Sequence, residues 1–137
     1  MTMFGALPIS GSGMEVAQSW IDATGGNIAN MNDLAPGNLP AAYREQEVVA
    51  APLPSSSPAT PGEGVGLAGI LLGPSNGKLA YDPSSPLADA QGYVKYPSVN
   101  LAQQMVNLVM AQTSYQANAA VVARAKQVYQ SALTLGS

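Results

Sequence analysis

The chain of 137 residues contains no histidine and no cysteine. Those two absences remove the ordinary acid–base residue near pH 7, the thiol nucleophile and both soft metal ligands. Zinc sites, thiol redox sites and Ser-His or Cys-His nucleophiles are excluded together. Charge is scarce as well: charged residues make up 9% of the chain, with five basic against eight acidic and a net charge of −3. Five dispersed cations do not make a nucleic-acid footprint. The first ten residues, MTMFGALPIS, hold no Lys or Arg and no long apolar run, so they do not read as a Sec signal. A route of export without a cleaved signal is therefore expected if the protein leaves the cytoplasm.

What is present is organised in three parts. Residues 1–31 form the first, with an amphipathic helix expected from Gly11 to Met31 on the seam Met14, Ala17, Ile21, Thr24, Ile28, Met31. Its steps of three and four belong to a helix lying along another helix. Ser10 or Ser12 is the candidate N-cap, and Gly25-Gly26 weakens the second half. Asn27 and Asn30 fit a capping role, a role between subunits, or both. Trp20 reads as a packing anchor.

Residues 98–137 form the third part, with a helix expected over Leu101–Leu135. Asn100-Leu101-Ala102-Gln103 resembles a capping box with Asn as the cap, and Gly136 stands where a helix stop belongs. The seam runs through Leu101, Gln104, Leu108, Ala111, Tyr115, Asn118, Val122, Ala125, Tyr129 and Ala132, with Leu133 among the apolar residues off it. Asn118 in a core-like position costs stability and can fix register.

The middle part, residues 32–97, holds ten of the eleven prolines. Strands are expected at Tyr43–Val49, Val65–Leu72, Lys78–Tyr81 and Gly92–Tyr96, with Asn76-Gly77 as a hairpin turn. Low complexity over Pro52–Gly64 predicts a mobile segment. The whole reads as a mainly α fold with a small β insert: paired, coiled-coil-like terminal helices and a short β-rich middle domain.

Two features say that these helices are not self-sufficient. A helix of 35 residues is about 50 Å long, whereas a compact chain of this length is roughly 37 Å across. From Tyr96 to Ala123 there are 28 residues without a single charge. Ten uncharged polar side chains in that span exclude a membrane-crossing helix. Gln, Asn, Ser and Thr can be buried in an interface without the desolvation cost of an ion. A subunit of a multi-chain assembly follows, with Met14, Ile21, Asn27, Ile28, Asn30, Leu101, Leu108, Tyr115, Asn118, Val122, Tyr129 and Leu133 as its expected assembly residues. Tyr115 and Tyr129 fit the chain's own core equally, since periodicity does not identify the partner chain, and Asn118 fits a water-facing position as well.

Candidate chemistry is thin. Asp82 and Asp89 have no third ligand or base beside them, and their plain reading is turn formation and local backbone hydrogen bonding. Gly62–Gly69 (GEGVGLAG) lacks the Lys-Ser/Thr ending of a phosphate loop. No catalytic residue, cofactor or metal is expected.

The residues also carry a resemblance. Gly26-Asn27-Ile28-Ala29-Asn30 resembles the helix-ending motif of flagellar rod and hook proteins. The run from Tyr81 to Asn100, with Asp82, Pro83, Pro86, Asp89, Gly92 and Tyr93, closely resembles the stretch that marks the FlgC family of flagellar basal-body proximal rod proteins. Ser114-Tyr115-Gln116-Ala117-Asn118 and the ending Ala132–Gly136 extend the likeness over nearly the whole chain, with Asn32–Gly64 as the weak part. The resemblance implies a non-enzymatic subunit of a helical, tubular drive shaft in the cell envelope, which encloses an export channel and transmits torque. It implies partners as well: other copies of the chain, other proximal and distal rod proteins, the adaptor between rod and membrane ring, and the flagellar type III export apparatus. Nucleic acid and direct membrane insertion are not implied. The chain departs from the family at Gln104, where Glu is frequent, at Thr113, where Arg is frequent, at Ser85, where His is frequent, and at Ser98-Val99-Asn100, where Asn-Val-Asp is frequent. A different axial rod protein, and a signal-less secreted helical adaptor, are the alternative readings.

Overall fold

A computed structural model describes residues 3–54 and 62–135. Helix α1 covers Met3–Ala29 and helix α2 covers Leu101–Leu135. Between them lie five strands: β1 (Ala35–Pro36), β2 (Gln46–Pro52), β3 (Val65–Leu72), β4 (Lys78–Tyr81) and β5 (Tyr93–Tyr96). β2 and β3 form an antiparallel two-stranded sheet, and β1, β5 and β4 form an antiparallel three-stranded sheet in that order. The fold is mainly α with a β insert, as expected.

α2 keeps its expected limits. The Asn100 side chain accepts from the backbone N–H of Gln103 at 3.3 Å, one half of a capping box. The reciprocal half is not made, because the Gln103 amide donates to Asn107 instead.

α1 corrects the expectation at its start. It begins at Met3, eight residues before Gly11, and carries Pro8 inside. Pro8 removes one intrahelical bond, yet packing continues upstream: Ser10 is buried, and Ala6 and Leu7 are half-buried. Neither Ser10 nor Ser12 caps the helix. Ser12 Oγ donates to the Ile9 carbonyl and accepts from Val65 N–H, so it ties α1 to β3.

The helices run antiparallel. Asn27 meets Gln104 near one end, and Gly13 faces Asn118 further along. A Cβ on Gly13 would lie 2.9 Å from Asn118 Nδ2, so glycine there sets the separation of the helices. The β2–β3 hairpin covers the other flank of α1, and the register of its strands shifts at Val49/Ala50. The chain bends at Ser75-Asn76 and Gly77 takes φ +60, but this is not the turn of a hairpin. β3 pairs with β2, whereas β4 pairs with β5. The stretch Gly62–Gly69 enters strand β3, not a helix, which does not fit a phosphate loop. Of the expected mobile segment, Pro52 pairs with Val65 and Leu53 N–H donates to Gly64. Its residues 55–61 lie outside those described, as does Gly136.

The second sheet closes around Val94, which is fully buried. The loop from β4 to β5 is stapled by its own side chains. Asp82 Oδ1 accepts from Ser84 N–H and Oγ. Asp89 Oδ1 accepts from the backbone N–H of Gln91 and Tyr93. Gly92 takes φ +81 beside Tyr81 and Pro83. The two aspartates are thus turn and backbone staples.

Gly13→Leu is expected to wedge the helices apart and destabilise the chain by about 1–3 kcal/mol. Gly11→Ala, whose Cβ meets nothing within 4 Å, is expected to raise isolated-chain stability by up to about 1 kcal/mol. Thermal melting followed by circular dichroism checks both.

Candidate assembly interface

The largest fully buried side chains include two amides, Gln104 and Asn27, each 1% exposed. Asn27 makes all four hydrogen bonds open to it. Its Nδ2 donates to the Gln46 carbonyl at 2.9 Å and to Gln104 Oε1 at 3.0 Å. Its Oδ1 accepts from Tyr43 OH at 2.9 Å and from Gln46 N–H at 2.8 Å. The Gln104 amide in turn donates to the Glu45 carboxylate. One side chain therefore joins α1, α2, β2 and the segment before β2. Among the described residues no buried side-chain nitrogen or oxygen lacks a partner. Burial raises the Tyr43 phenol above its ordinary pKa of 10.0; the Asn30 side chain opposes the shift and the Glu45 charge reinforces it.

Asn30 does the capping for which both asparagines were candidates: its Nδ2 and its backbone N–H both donate to the Gly26 carbonyl. Asn27 does not cap; its burial was not read from the sequence. The signal was its position three residues after Thr24, on the same face as Ala17 and Thr24, all of them buried.

On α2, Gln104 and Ala111 are buried, and Leu108, Tyr115, Asn118 and Val122 are half-buried along the same line, which faces α1 of the same chain. Met14, Ile21 and Ile28 are half-buried on α1. The structure brings these residues together within one molecule. Asn118 donates to the Ser114 carbonyl and packs on Gly13. Trp20, with Val16 and Val48, lines a gap of about 420 Å³ between helices and hairpin. Leu101, Tyr129 and Leu133 are exposed.

The surface lies elsewhere on α2. Met105, Val106, Val109, Met110, Val121 and Val128 are exposed, and from Lys126 onward every described residue is exposed, up to Leu135 at 89%. The antiparallel register explains the end: α1 runs out near Val128 of α2. Total accessible surface is 8830 Å², whereas a compact monomer of this mass exposes about 6,700 Å². The excess, roughly 2,000 Å², is more than the ~800 Å² that one partner contributes to a standard interface. Among the described residues no three metal-ligating side chains cluster, and no helix is long and apolar enough to cross a membrane.

Comparison with known proteins gives the family. Residues 90–135 match the family described as flagellar basal body rod FlgEFG protein C-terminal. The FlgC rod protein of Salmonella typhimurium LT2 is 35% identical over 140 residues, covering 99% of both chains. That of Escherichia coli O6:H1 is 34% identical over 137 residues, again 99% of both. The chain belongs to the FlgC family of flagellar basal-body rod proteins. The Borreliella burgdorferi member is 32% identical over 151 residues and 98% of each chain. FlgC proteins are structural subunits, not enzymes, which is consistent with aspartates used only as staples.

Gln104 is matched to its neighbours by hydrogen-bond polarity. A carboxylate at 104 would retain the acceptor for Asn27 but replace the donor to Glu45 with a second negative charge. Gln104→Glu is expected to lower the unfolding free energy by about 1–3 kcal/mol, and Asn27→Leu by more, since it leaves several buried groups unpaired. Denaturant titration measures both. The neutral Tyr43 is the donor to Asn27, and its folded pKa lies above 10.0. Its contribution is complete below pH 10 and is lost as pH rises through the folded value. The melting temperature of the wild type should therefore fall more steeply above pH 10 than that of Tyr43→Phe.

Proposed function

We propose that this chain is a proximal-rod subunit, assembling helically with further copies and with other rod proteins into a shaft that transmits motor torque and encloses the export channel. The observation that carries the reading is the full-length relationship to FlgC, together with a helix that its own chain covers along one line only. In this reading residues 1–31 and 98–137 form the axial, coiled-coil-like helical domain, and residues 32–97 form the β-rich part beside it. Rod neighbours cover the charge-free faces of α2, where Val106, Val109 and Met110 stand exposed. The chain travels through the flagellar type III apparatus to the cell envelope. The adaptor between rod and membrane ring is a further neighbour. Desolvating uncharged Gln, Asn and Thr at such contacts costs far less than desolvating ions, which suits a permanent shaft.

The test uses a tagged full-length chain in a strain lacking its own copy. It should restore motility and appear in isolated basal bodies. Val109→Asp and Met110→Asp, at sites open in the single chain, should leave export measurable and abolish rod completion and swimming. Normal rods with both variants, or absence of the wild-type chain from basal bodies, would overturn the reading.

A further inference from the structure

α2 carries a second stripe that α1 does not cover. Ala117, Val121, Arg124, Val128, Ser131 and Leu135 recur at steps of four, three, four, three and four, and all are exposed. Steps of this kind mark a surface that meets another helix. Large apolar groups dominate it, and its single charge is a cation. Arg124 has no ion-pair partner among the described residues.

α1 carries the complementary stripe. Gly11, Glu15, Gln18, Asp22, Gly25 and Ala29 follow the same step pattern on its outer side, exposed except for the half-buried Gly11. Both acids of α1 are here. Asp22 Oδ1 accepts from Gln18 at 2.9 Å, which leaves its other oxygen open to a partner. Gly11 and Gly25 are not explained within the chain: a Cβ on either meets nothing within 4 Å. Each glycine weakens its helix relative to alanine, and close approach of a second backbone supplies a reason for it.

We infer that the α2 stripe of one copy lies antiparallel on the α1 stripe of a second copy, with Arg124 on Asp22, Leu135 over Gly11 and Val121 over Gly25. One register makes all three pairs, because both stripes step identically in reverse. Moving by a heptad sets Arg124 on Glu15 and Val128 over Gly11 but puts Ser114 over Gly25, so only one of the two large-on-small pairs survives. The same contact is out of reach within one molecule. Residue 22 of α1 lies opposite about residue 109 of α2, some 15 residues or roughly 22 Å of helix from Arg124. The two surfaces are different patches, so the contact is heterologous. Unless its rotation closes a ring, it repeats as an open helical filament. The exposed overhang of α2 beyond Val128 becomes the arm that reaches the next copy. This rests on the rod assignment above and adds the contact between copies.

The absence of cysteine makes the test clean. Asp22→Cys/Arg124→Cys double-variant rods, oxidised in isolated basal bodies, should give disulfide-linked multimers of this chain. Neither single variant should do so, and nor should Glu15→Cys/Arg124→Cys. Separately, Asp22→Arg should abolish motility and rod assembly while the purified chain keeps its helical circular dichroism. Asp22→Arg/Arg124→Asp should restore swimming. Normal motility of Asp22→Arg, failure of the double reversal to rescue, or cross-links only at the Glu15 position would overturn the contact. Those outcomes leave rod membership standing, whereas a wild-type chain missing from basal bodies would remove the rod reading itself.

Discussion

Four hydrogen bonds converge on one amide in the interior, and their geometry ties three parts of the chain into one body. Asn27 lies on α1, Gln104 on α2, Gln46 on β2, and Tyr43 and Glu45 immediately before that strand. The apolar core is poor: among the described residues the buried hydrophobic ones are Ala17, Ala23, Ala35, Val94, Val99 and Ala111. Alanines bury little area, so hydrophobic transfer alone gives weak specification of how helices and hairpin dock. A satisfied polar network in low dielectric is directional and tolerates no slippage, because each displaced partner leaves a buried group unpaired. The knot thus supplies the register that small side chains do not.

Register then decides which surfaces face outward. With Asn27 on Gln104 and Gly13 on Asn118, α1 covers α2 only to about Val128 and only along one line. The remaining faces of α2 keep valines, methionines and leucines in solvent, and the accessible surface exceeds that of a compact chain by an interface's worth. Fixing the interior of the subunit and leaving its exterior incomplete are two results of the same alignment.

Much of this was legible in the sequence. The limits of α2 followed from the Asn100 cap and an uninterrupted 3–4 seam, and three of the strands from short apolar and aromatic stretches between turn residues. The start of α1 was not legible. Pro8 and the two serines mark a boundary by local preference, but burial of Ser10 and partial burial of Leu7 carry the helix upstream. The partner of β3 was hidden as well, since Asn76-Gly77 has hairpin chemistry while pairing was settled by the contact of the hairpin with α1. Of the candidate interface residues, periodicity found the buried line but not which molecule buries it. Leu108, Tyr115 and Val122 meet α1 of their own chain, and the residues left open, such as Val106 and Val109, fell off the strongest seam. Asn27 was legible as a polar residue at a helix end, and its fourfold bonding required knowing that β2 arrives beside it.

Helix α2 therefore serves two masters at different free-energy scales. Its inner line is held by a network whose members are all satisfied, which favours one geometry of the subunit before assembly. Its outer lines are apolar and nearly ion-free, so their burial is driven by area and is weakly sensitive to salt. Arg124, the one charge on its stripe, adds little attraction in water, but it penalises every register that leaves it buried without a carboxylate. Specificity in the outer contacts then comes from what one charge forbids, while adhesion comes from the uncharged residues around it. The interior applies the same division, with Asn27 and Gln104 choosing the alignment that alanines and valines then fill.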